Sequence, residues 1–70
     1  MMPLVLAATG EEHIIHRVGG SSEVKKHLEN LGFVAGGSVT VISENGGNLI
    51  VNVKESRIAV SREMANKIFI

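Results

Sequence analysis

The sequence has no cysteine, tryptophan or tyrosine, and only two phenylalanines and one proline. Without cysteine, disulfide frameworks and thiolate metal sites are excluded. A chain of 70 residues must then hold together by packing alone. The same composition suits a reducing cytosol. The scarcity of aromatic rings argues against a groove for proline-rich peptides, which such rings line. It also removes the stacking platforms that single-stranded nucleic acids use. Charge of one sign is missing too, since seven Lys+Arg balance seven Asp+Glu. Nucleic-acid binding draws much of its affinity from cationic charge, so no nucleic-acid partner is expected. No apolar run is long enough to span a bilayer. The opening MMPLVLAATG lacks the cationic start of a signal peptide. It is read as part of one domain covering residues 1–70, without membrane insertion.

What is present is a series of short periodic segments. His13 to Val18 is rich in β-branched residues and stops at Gly19-Gly20, which predicts a strand. Ile14 and Ile15 are adjacent, so alternation does not say which faces the core, and a bulge there would resolve the conflict. Ser21 or Ser22 can cap a helix, and Glu23 suits the positive end of its dipole. Val24, Leu28 and Leu31 recur at i, i+4 and i+7, one apolar helical face. Gly32 then fits the left-handed C-terminal position. Beyond Gly36-Gly37, Val39 and Val41 alternate with polar residues. Asn45-Gly46 is a hairpin signal, and Leu49, Val51 and Val53 form the next alternating run. Lys54-Glu55-Ser56 turns the chain into Arg57–Val60. Ser61 caps a helical turn through Met64 and Ala65, and Ile68–Ile70 ends the chain as a strand. The pattern predicts a mainly β domain with short helices, built as a small barrel whose closure hides strand edges.

The segment Val18–Val39 also prompts the question of a phosphate-binding loop. A P-loop needs a second glycine followed by lysine and a hydroxyl residue, and a dinucleotide loop needs G-x-G-x-x-G. Neither spacing occurs here. Turns and caps account for these glycines and serines.

Candidate chemistry is sparse. His13 and His16 fall on opposite faces if both lie in one strand, so they do not chelate one ion. Glu11, Glu12 and His13 form the one candidate oxygen-and-imidazole site for a divalent metal. His27 sits at the boundary of the helix face. The serines lie at turns, caps and strand edges, and no nucleophile–base arrangement is readable, so the chain is read as a non-enzyme. The candidate partner surface joins the helix lysines Lys25 and Lys26 to the apolar residues Phe33 and Val34 between Gly32 and Gly36. Phe33 has a competing role as the hydrophobic partner of the helix C-cap. Exposed apolar residues can mark a partner site.

A set of residues in order carries a family resemblance. Gly19-Gly20, Lys26-His27-Leu28, Leu31-Gly32-Phe33, Gly36 and Val39-Thr40-Val41 are followed by Leu49, Val51 and Val53. Arg57-Ile58-Ala59-Val60 and Arg62-Glu63 then precede Ala65 and Ile68. From Gly10 onward the chain resembles the FeoA family of small cytosolic proteins in bacterial ferrous iron uptake. Departures are Ala35 where the family usually has proline, Lys54-Glu55-Ser56 where a glycine is common, and Ser61 where a basic residue is common. The resemblance implies an SH3-like small β-barrel with a helix between the first and second strands. It implies a cytoplasmic accessory role, with the FeoB membrane ferrous iron transporter as partner and no cofactor. Two alternatives stay open: an Fe(II) or other divalent-metal sensor, and a stand-alone regulatory domain of a metal-dependent repressor. Edge strands of such a barrel are open to pairing between copies, which would give a homo-oligomer.

Overall fold

The computed structural model describes the whole chain, Met1–Ile70. A single 3-10 turn at Leu4–Leu6 precedes strands β1 (Glu12–Ile14) and β2 (Arg17–Val18). Helix α1 (Ser22–Leu31) leads to the meander β3 (Ser38–Asn45), β4 (Asn48–Val53) and β5 (Ser56–Ser61). Helix α2 (Arg62–Ala65) and strand β6 (Ile68–Phe69) complete the chain. The strands form two antiparallel sheets, one in the order β1-β3-β4-β5 and one pairing β2 with β6. Fourteen apolar side chains between them make one core.

The expected first strand is two strands, and the adjacent isoleucines explain the break. Successive strand residues face opposite sides, so Ile14 and Ile15 compete for the core. Ile15 takes it at 1% exposure, while Ile14 is 53% exposed. At this step the backbone changes partner. The Ile15 N–H donates to Gly37 O beside β3, and the His16 N–H donates to Phe69 O of β6, each at 2.8 Å. One segment therefore serves both sheets, and α1 follows the second strand rather than the first.

Helix α1 starts as the sequence predicts. Ser21 is extended, and its Oγ accepts from the Val24 N–H at 3.2 Å. Its end carries the main correction to the expected apolar face. Leu28 is fully buried and Val24 half-buried, but Leu31 is 37% exposed. Gly32 has φ 113°, and its N–H donates to Glu29 O, while the Phe33 N–H donates to Leu28 O. This pair of bonds is a Schellman motif. It reverses the chain so that Phe33, not Leu31, completes the buried face beside Leu28.

The meander follows the alternation closely. Val39, Val41, Leu49, Val51, Val53 and Val60 are all buried. A bulge at Ile42, between the Val41–Val51 and Ser43–Ile50 pairs, shifts the β3–β4 register. Gly46 has φ 63° in the Gly46-Gly47 loop between the paired Asn45 and Asn48, a conformation glycine adopts without steric cost. The β4–β5 hairpin closes through Lys54 and Glu55, both at positive φ (49° and 63°). That is the type I′ pattern, carried here by side chains that disfavour it.

Two features were not anticipated. Leu4 of the 3-10 turn is fully buried. The chain ends also pair, since Met2 N–H donates to Ile70 O at 2.9 Å and Ile70 N–H to Met2 O at 2.8 Å. The two sheets do not join into one continuous ladder, so β1 and β5 remain as edges.

The β4–β5 turn gives a stability test. A left-handed conformation costs a non-glycine residue about 1–2 kcal/mol, partly offset by the greater freedom glycine loses on folding. Glu55→Gly is expected to stabilise the protein by about 0.5–1 kcal/mol. Urea unfolding would show a higher midpoint at unchanged slope. A lower midpoint would show that the Glu55 side chain contributes more than its backbone costs.

Candidate protein-docking site

The larger of two surface depressions runs along α1 beside α2. It is an open groove of about 560 Å³, lined by Ser21, Glu23, Val24, Lys26, His27, Asn30 and Met64. Helical spacing builds one wall, because Glu23, His27 and Asn30 stand at i, i+4 and i+7. The floor is apolar: Val24 and Met64 are half-buried and pack against the core. Both floor positions are fixed by caps. The Val24 N–H is held by Ser21 Oγ, and the Met64 N–H donates to Ser61 Oγ at 3.1 Å. The rim offers one cation, one carboxylate, an imidazole and an amide, all exposed. None of these four side chains is engaged in an ion pair or a side-chain hydrogen bond. The molecule's one such ion pair, between Arg62 and Glu44, lies elsewhere and is half-exposed. Such pairs contribute about 0–1 kcal/mol.

The four residues expected to contact a partner are only partly brought together. Lys26 lines the groove. Lys25 is exposed but lies one residue around the helix, about 100° away, and does not line it. Val34 is half-buried; its carbonyl accepts from the Gly37 N–H at 2.9 Å, and it packs against that tight turn. Phe33 is a correction: at 0% exposure it is core, and the Schellman motif places it there. Glu23, Val24, His27, Asn30 and Met64 were not read as partner-contacting from the sequence, which placed Met64 only in the turn that Ser61 caps. The signal for Met64 was available, since a residue three beyond a capping serine is fixed by the cap.

The candidate metal residues do not converge. Glu12 and His13 are successive residues of β1 and face opposite sides of the sheet. His13 pairs with buried Val39, and its Nε2 is buried without a hydrogen-bond partner. No three His, Asp or Glu side chains come together anywhere in the chain. Glu12 lies instead at the second depression, a polar one of about 340 Å³ with Ser38, Thr40, Asn52, Lys54 and Glu55. No helix is long and apolar enough to cross a membrane.

Two small antiparallel sheets around one core, with a helical turn before the last strand, define an SH3-like β domain. A crystal structure of an iron uptake regulatory protein, FeoA, superposes with a TM-score of 0.87, covering 96% of this chain and 91% of that one at 20% identity. The zinc complex of Stenotrophomonas maltophilia FeoA, a procaryotic SH3 domain protein, gives 0.83 over 97% and 87% at 23% identity. In sequence, residues 2–70 match the FeoA domain family. A Methanocaldococcus jannaschii protein provisionally named Fe(2+) transport protein A is 33% identical over 70 residues, spanning 100% of this chain and 85% of that protein. The chain belongs to the FeoA family.

The burial of Phe33 is directly testable. Phe33→Ala should cost about 3–5 kcal/mol, the range for a buried aromatic, read by urea unfolding. A loss under about 0.5 kcal/mol, the scale of surface substitutions, would return Phe33 to the surface.

Proposed function

We propose that the protein is a cytoplasmic accessory factor of ferrous iron uptake that acts by docking on the cytosolic region of an FeoB-type transporter. Membership of the FeoA family supplies the iron-transport setting. The observation that carries the docking reading is the α1 groove. Its apolar floor of Val24 and Met64 is framed by Glu23, Lys26, His27 and Asn30, whose side chains are free of other bonds. Interfaces pair an apolar centre with a polar rim in this way.

Scale extends the contact beyond the groove. A standard interface takes about 800 Å² from each partner, roughly a fifth of the 4147 Å² this protein exposes. The groove would therefore be the centre of a footprint that takes in the outer face of α1, with Lys25, and the Val34 turn. The floor residues bury apolar area, and Lys26 and Glu23 set orientation and encounter rate. The protein performs no chemistry of its own in this scheme. Docking biases the conformation or assembly of the transporter.

The test is a titration against the isolated cytosolic region of the cognate transporter, with and without a GTP analogue. Saturable binding is expected, with Lys26→Glu weakening it by about tenfold or more, the scale of a central polar contact. Lys25→Glu, off the groove, is expected to have a smaller effect. Absence of saturable binding in both nucleotide states would overturn the docking reading. Equal affinity of wild type and a folded Lys26→Glu variant would overturn the choice of surface.

A further inference from the structure

The two edges of the four-stranded sheet are built differently. Edge β1 has three residues, carries Glu12 and follows Glu11. Its chain swings away at Ile15, where the Gly36 N–H donates to Ile15 O. Short length, charge and an abrupt bend are the devices that keep an edge from recruiting another strand. Edge β5 is longer, six residues over Ser56–Ser61, and has no bend within it. Its ladder with β4 runs through six successive pairs without a bulge. It holds no proline, and Arg57 is its one charge.

The direction of its free hydrogen-bonding groups follows from the hairpin. Val53 and Ser56 flank the Lys54-Glu55 loop and form the closing pair, which exchanges both bonds in a hairpin of this length. Alternation then turns Ile58 and Val60 toward β4 and leaves the N–H and C=O groups of Arg57 and Ala59 pointing away from it. No backbone hydrogen bond outside the ladder involves either residue. Both are exposed.

We infer that β5 pairs antiparallel with β5 of a second copy of this chain, in a two-fold register centred on Ala59. This register sets Ala59 opposite Ala59 of the partner subunit and Arg57 opposite the partner's Ser61. Ala59 then exchanges both bonds with its counterpart. The Arg57 carbonyl accepts from the partner's Ser61 N–H, while the Ser61 carbonyl stays with α2, which Ser61 caps, and the two Arg57 cations are kept apart. Like charges directly opposite would destabilise a sheet. The small Ala59 side chain at the axis lets the outer faces meet without a clash. The pairing is isologous and therefore closed. It produces one continuous sheet of two four-stranded halves, whose outer ends are the protected β1 edges, so growth stops at the dimer. The inference is independent of the docking reading, because no transporter enters it.

The experiment measures mass by sedimentation equilibrium and amide exchange by NMR on the full chain. Concentration is raised from about 20 µM to about 1 mM, where mass action favours the dimer. The expected result is a doubling of mass, with exchange at Ala59 and Ser61 slowed by roughly tenfold or more. Two variants test the register. Ala59→Pro removes one outward N–H at an edge position that tolerates proline, and Ala59→Lys sets like charges across the axis. Both are expected to stay folded and monomeric throughout the range. A protein that remains monomeric to the top of the range would overturn the inference. So would a dimer that persists in folded Ala59→Lys, or one that protects amides elsewhere and leaves Ala59 and Ser61 unprotected.

Discussion

The fold depends on the left-handed turn at Gly32. Its φ of 113° lets α1 end in a Schellman motif, so that Leu28 and Phe33 enter the core from the two sides of one reversal. A side chain at Gly32 would be strained by the positive φ, although it would meet the Lys54 side chain and Val53 only at ordinary contact distance. The helix is too short to stand alone, so its attachment to the sheets rests on these buried residues. The groove rests on the same attachment, because Val24 is held at the opposite end of the helix by the Ser21 cap.

Much of this was legible in the sequence, for identifiable reasons. Period-two alternation in Val39–Val41 and Leu49–Val53 placed the meander, since one buried face leaves little freedom of register. Ser21, Ser61, Gly32 and Gly46 marked caps and turns because each residue type answers a local backbone demand. Leu31 was misplaced because helical periodicity takes no account of where the helix stops. With Gly32 next in the chain, the following apolar residue can fold back and take that place. The split between β1 and β2 was signalled by adjacent Ile14 and Ile15, but the change of partner from β3 to β6 is a long-range choice that local pattern does not encode.

The candidate site was less legible than the fold. A groove between α1 and Met64 joins residues more than thirty positions apart, and only the packing of α2 shows that they meet. Sequence proximity pointed instead to Phe33 beside Val34, and to Glu12 beside His13. In both pairs the neighbours take different environments: core and half-exposed turn in one, opposite faces of a strand in the other. Neighbours along a strand or across a helix end often diverge in this way, so functional surfaces are better sought at helical spacing or across strands.

The paired ends of the chain carry a consequence of another kind. Met2 and Ile70 exchange both backbone hydrogen bonds, and Pro3 bridges Phe69 beside them. The path of the polypeptide is thus nearly a closed ring, with its seam held by the same kind of bond that holds the sheets. A ring has no privileged starting point. The exposed Gly46-Gly47 loop could serve as the place where the chain opens, with the present ends joined. The domain is also shaped to sit within a loop of a larger protein, entering and leaving at neighbouring points.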